Sequence, residues 1–120
     1  MAVVDASVWV SALHEKDRFH AKARDFLERL YRSKTFIRIP AIAPAEVASS
    51  IRRATSQPRL AREAVEQMYG MEPEIWVIDE LAAREAAGIA SRLAVRGADS
   101  FYLWYLRLLP GKMNCFLLLL

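Results

Sequence analysis

The chain has 120 residues, 54% of them hydrophobic and 26% charged, with a formal net charge of +3. That length and balance describe one globular domain with a real core and exclude a disordered segment. The single cysteine, Cys115, excludes an internal disulfide framework and fits a reducing, cytoplasmic compartment; with His14 and His20 it makes a poor zinc set.

Ala2 to Val4 reads as a short buried strand that Asp5 ends, and no signal peptide is visible, since Asp5 interrupts the apolar run almost at once. Ser7 to Leu13 then forms a helix with Asp5 or Ser7 near its N-cap. After the polar connector Glu15 to Arg18, residues Phe19, Ala23, Phe26, Leu27, Leu30 and Tyr31 fall on one face of a second helix. Thr35 to Ala41 is rich in β-formers and reads as a second strand. Pro44 suits the first turn of a helix that continues from Ala45 to Ala54. Pro58 separates it from another, Leu60 to Tyr69, closed by Gly70.

Glu74 to Ile78 reads as a third strand and Glu80 to Val95 as a long alanine-rich helix ending before Gly97. A last helix opens near Asp99 and runs to Leu109, and Cys115 to Leu120 reads as a final strand. Arg107 and Pro110-Gly111-Lys112 divide the apolar stretch from Phe101 to Leu120 into runs too short for a membrane span. Trp9, Trp76 and Trp104, all in apolar runs, are expected in the core. There is no internal repeat, linker or domain boundary. Strands separated by helices predict an α/β domain with a mostly parallel sheet.

In such sheets ligands bind beyond the carboxyl ends of the strands. Asp5 lies at such an end, while Glu46 and Asp99 lie in first turns of helices that follow loops, so all three acids can face one rim. Clustered carboxylates repel one another, and a hard dication relieves the repulsion; Mg²⁺ and Mn²⁺ prefer oxygen ligands of this kind. Ser7 is placed to orient Asp5 or a metal-bound water. Each acid also has a local explanation: Asp5 as a helix cap, Glu46 and Asp99 as acids favoured by the helix dipole. His20, near a helix start, reads as a packing or capping residue.

Between Arg18 and Arg62 there are eleven Lys or Arg residues and three acids. Most read as a solvated surface, and some as attraction for phosphate backbones. Arg52 and Arg53, about two turns after Glu46, are candidates for reaching the rim and contacting RNA.

The opening Val3-Val4-Asp5-Ala6-Ser7, with Phe19-His20-x-x-Ala23, Pro44-x-Glu46-Val47 and Ala98-Asp99-Ser100-Phe101, resembles the PIN-domain ribonucleases, specifically the VapC-type toxins of toxin–antitoxin pairs. Each motif is short; their order and spacing over residues 1 to about 106 make the combination fairly specific. The resemblance implies a three-layer α/β/α domain spanning residues 1–120, Mg²⁺ or Mn²⁺ dependence and endonucleolytic cleavage of RNA. It also implies a homodimer and a cognate antitoxin whose peptide occupies the active-site groove. Asp5, Glu46 and Asp99 would be the metal-binding, catalytic acids, with Ser7 supporting them.

The departure comes after about residue 106. Members of the family usually carry a further acid on the following strand, whereas no Asp or Glu follows Asp99 here. The change of character after Pro110 reads as a truncated or altered end. Two function classes therefore compete: a metal-dependent endoribonuclease, or a weakened protein of the same fold that binds antitoxin or RNA without cleaving. A third reading, Asp5 as a phosphoryl-accepting nucleophile, expects a second acid two residues on, where this chain has Ser7.

Overall fold

A computed structural model describes residues 1–108 and 116–118 of the chain. Its elements alternate as the apolar pattern predicts: β1 (Ala2–Val4), α1 (Ala6–Leu13), α2 (His20–Arg32), β2 (Ile37–Pro40), α3 (Ala43–Thr55), α4 (Pro58–Gly70), β3 (Glu74–Trp76), α5 (Glu80–Leu93), α6 (Gly97–Leu108) and β4 (Phe116–Leu118). Proline occupies the first turn of both α3 and α4, where its missing N–H costs nothing. Asp79 caps α5, its Oδ1 accepting from the Ala82 N–H at 2.8 Å.

The strands form one sheet in the order β3-β2-β1-β4, and every neighbouring pair is parallel. β1 is thus interior, and Ala2, Val3 and Val4 are all fully buried, as expected for a strand covered on both faces. Alternation along β1 sends its side chains to opposite layers. Ala2 and Val4 join Ile37 and Ile39 in a core with Trp9 of α1, Leu27 of α2, Val47 and Ile51 of α3 and Met68 of α4. The other face carries Val3 and, in register with it, Arg38. Arg38 reaches the Tyr105 hydroxyl of α6 and pairs with Glu74 of β3 at 2.7 Å. α5 packs on α6 in that layer, burying Ala82, Ala86, Ile89 and Tyr102. The result is a three-layer α/β/α domain.

Three expectations need correction. Trp104 is only half-buried, its indole N–H donating to Glu85. Trp76 is also half-buried; its ring stacks on Tyr105 with centroids 3.8 Å apart and 5° between planes. Only Trp9 is core, at 0% exposure. The strands are shorter than expected, β2 covering Ile37–Pro40 and β3 Glu74–Trp76. The expected strand from Cys115 to Leu120 is present over Phe116–Leu118, paired with β1; its remainder, with residues 109–114, lies outside the described residues. Among the described residues no helix is long and apolar enough to cross a membrane.

Candidate active site

Asp5 leaves β1 and turns the chain into α1. With φ −67° and ψ 150° it is the helix N-cap, and its Oδ2 accepts from the Ser7 N–H at 2.8 Å. The carboxylate is only 3% exposed. One capping bond accounts for one of its two oxygens, a thin return for burying a charge. The helix cap and the buried acid are therefore both present in one residue.

Glu46 stands in the first turn of α3, half-buried. The Tyr102 hydroxyl, on α6, donates to its Oε1 at a long 3.5 Å and accepts from the Ala6 N–H at 3.2 Å. Tyr102 thus ties the acid of α3 to the start of α1. The Glu46 carboxyl is raised from 4.5 to about 7, first by burial and then by repulsion from Asp5 and Asp99, against the opposing effects of Tyr102 and Arg96. The Tyr102 phenol is itself pushed well above its usual range, first by burial and then by the Glu46 and Asp5 carboxylates, so it stays a hydrogen-bond donor.

Asp99 lies in the first turn of α6. Arg96 grips it with a two-pronged fork, Nε to Oδ2 at 2.8 Å and Nη2 to Oδ1 at 3.1 Å. Asp5, Ser7, Glu46 and Arg96 line a cleft of about 320 Å³ together with Asp17. Asp99 does not itself line it, but the arginine that holds it does. A groove of about 390 Å³ between the end of α1 and the α3–α4 pair shares no residue with this cleft and contains none of the three acids.

Of the predicted acids, Asp5 and Glu46 meet in this cleft, while Asp99 is connected to it through Arg96. Arg52 and Arg53 do not join them: both are exposed in the last turn of α3, and Arg53 donates to Ser49. His20 has the packing role expected of it, its Nδ1 lying 2.9 Å from the Ser11 carbonyl oxygen. Two cleft residues, Arg96 and Asp17, escaped the sequence reading, as did Tyr102, which donates to Glu46. Tyr102 and Arg96 each stand three positions from Asp99, so helical spacing around that acid was the available signal. Asp17 reads locally as a turn residue, its Oδ2 accepting from the Phe19 N–H at 2.8 Å.

The donors suit a hard dication: they are oxygen atoms only, two of the acids, Asp5 and Glu46, line one cleft, and the buried Ser7 Oγ has no hydrogen-bond partner among the described residues. No three His, Cys, Asp or Glu side chains among the described residues are yet drawn together closely enough to hold an ion. Asp99 is instead drawn onto Arg96.

Residues 2–105 match the family model of the PIN domain. The chain belongs to the PIN domain family. No curated protein matches the sequence. The PIN fold is similar to the crystal structure of VapC20 from Mycobacterium tuberculosis, a Sarcin-Ricin loop cleaving toxin, with a TM-score of 0.74 at 17% identity, covering 89% of this chain and 82% of that one. At that identity the likeness is one of fold, and function must be argued from the PIN domain's own site.

Proposed function

We propose that this PIN domain is a metal-dependent endoribonuclease of the VapC toxin type, in which Asp5, Glu46 and Asp99 hold Mg²⁺ or Mn²⁺ and Ser7 supports them. The observation that carries the reading is the meeting of the buried Asp5 and the half-buried Glu46 in one cleft whose arginine, Arg96, also holds Asp99. The raised Glu46 carboxyl agrees with it, since perturbation of a cleft group by burial and named partners is a mark of a functional site. The similar fold of an RNA-cleaving toxin supports the choice of substrate.

When bound, the ion would supply an activated water and offset the charge that builds on a phosphate during in-line displacement. The chain's own residues prepare the cleft for that chemistry. The Ser7 N–H fixes the rotamer of Asp5, and Tyr102 fixes Glu46 relative to α1. Ser7 Oγ is a hydroxyl ready to donate to a carboxylate or water. By the same reading the partners are RNA and a cognate antitoxin, the protein is a homodimer, and it works in the cytoplasm.

Cleavage of a single-stranded RNA in Mn²⁺ tests the proposal. Wild-type protein cuts, and Asp5→Asn and Asp99→Asn each lose at least about a hundredfold, as expected when a charged ligand of a metal centre is neutralised. Undiminished cleavage by both purified variants rejects this site. A second reading, a weakened protein that binds antitoxin or RNA without cleaving, is favoured by β4, whose residues Phe116–Leu118 carry no acid beside β1. Calorimetric titration separates the two: micromolar Mn²⁺ binding supports the nuclease, and no detectable binding supports the weakened form.

A further inference from the structure

We propose that Arg96 is a positioning residue of this cleft: it occupies Asp99 while the site is metal-free and transfers its fork to a substrate phosphate once Asp99 is released. The inference rests on the metal-nuclease reading above and adds to it a residue with two alternative partners.

Arg96 is the cation that the cleft already contains. Its guanidinium makes both prongs of the contact to Asp99, at 2.8 and 3.1 Å, and also lines the cleft beside Asp5 and Glu46. In that position it satisfies both oxygens of the carboxylate that metal binding requires. The fork takes one lone pair of each oxygen, so Arg96 and an ion approaching from the same side compete for Asp99. Release is easy, because the Arg96 side chain is 80% exposed against 27% for Asp99. Exposed ion pairs shift an equilibrium by no more than roughly fivefold.

A guanidinium fork fits a carboxylate and a phosphate with the same planar geometry. Arg96 stands at the mouth of the cleft, beside the acids at which a scissile phosphate would arrive. Losing Asp99 to a metal leaves Arg96 a free two-pronged donor there, and the incoming phosphate is the matching acceptor. A lysine would keep the charge without the fork.

Two titrations of the full-length protein test this: Mn²⁺ alone by calorimetry, and a fluorescein-labelled single-stranded oligouridylate in Ca²⁺ by anisotropy. Arg96→Gln is expected to bind Mn²⁺ about threefold to tenfold more tightly than wild type, having lost both a competitor for Asp99 and a nearby positive charge. The same variant is expected to bind the oligouridylate at least about tenfold more weakly. Arg96→Lys should fall between the two on both measurements. An unaltered fold is checked by thermal melting in EDTA, where an exposed side chain should change little. Mn²⁺ affinity equal to or weaker than wild type in Arg96→Gln, or unchanged oligouridylate affinity, overturns the inference while leaving the metal site standing. Absence of Mn²⁺ binding in wild type and variant alike overturns the metal site and the inference together.

Discussion

Burial first, and then neighbouring carboxylates, resist the charge on Glu46, and its titration has two measurable consequences. The folded protein holds the Glu46 proton to about pH 7, whereas the ordinary value is 4.5. Between those limits the native state binds more protons than the unfolded one, so stability falls as pH rises. The contribution is complete below about pH 4.5 and gone above about pH 7. Thermal melting of the metal-free protein across this window should show that decline, and Glu46→Gln should flatten it and raise the melting temperature at pH 8. Metal binding runs the other way, since a ligand carboxylate must give up its proton. Mn²⁺ affinity is therefore expected to climb with pH until about 7 and then level off; a flat profile would detach Glu46 from the metal. Tyr102 modulates both effects. Tyr102→Phe deletes the donor to Glu46 and leaves the Ala6 N–H without its acceptor, at a cost of about 1–2 kcal/mol on melting and with the Glu46 carboxyl pushed higher still.

At the scale of elements, α1 and α5 both begin on an aspartate cap, and comparing them separates architecture from chemistry. Asn caps a helix about as well as Asp, while Ala does not. Asp5→Asn should therefore melt in EDTA at or above the wild-type temperature and yet fail to bind Mn²⁺. Asp79→Ala should lose about 1 kcal/mol of stability with Mn²⁺ affinity intact. The helices themselves were legible because apolar spacing, prolines and caps are local signals. Their ends were less so: Ala94 turns left-handed at φ 54° and stops α5 at Leu93, ahead of the glycine expected to end it. Strand lengths were not local at all. β1 ends after three residues because Asp5 begins α1, and Ala2 and Val3 are the β1 residues that pair with β2. The misplaced tryptophans have a physical reason too. An indole has an apolar body and a polar edge, so Trp104 gives its N–H to Glu85 and Trp76 covers the sheet by stacking on Tyr105.

Across the whole molecule, the acids were legible as types and positions, while which of them approach one another depends on the order β3-β2-β1-β4, which no single segment encodes. The resemblance in short motifs spoke to that topology only through the fold it implied. The same global packing sets the largest energetic term. Trp9, fully buried between α1 and the sheet-side core, should cost about 3–5 kcal/mol when replaced by Ala, enough to unfold a marginal domain. Binding is linked to that stability. Mn²⁺ at a hundred times its dissociation constant should add about 2.7 kcal/mol to the wild-type protein and nothing to Asp5→Asn, a contrast that melting curves with and without the ion would read. The interior place of β1 carries one more consequence. Asp5, at its end, is made before any of the helices, but Arg96, Asp99 and Tyr102 come only with the segment that opens α6, the last helix among the described residues. A nascent chain can build α1 to α4 around part of the sheet and still own no complete cleft. Until α6 has left the ribosome the rim lacks Asp99 and the arginine that grips it, so the nascent chain passes through the synthesis of everything up to α5 without an assembled cleft.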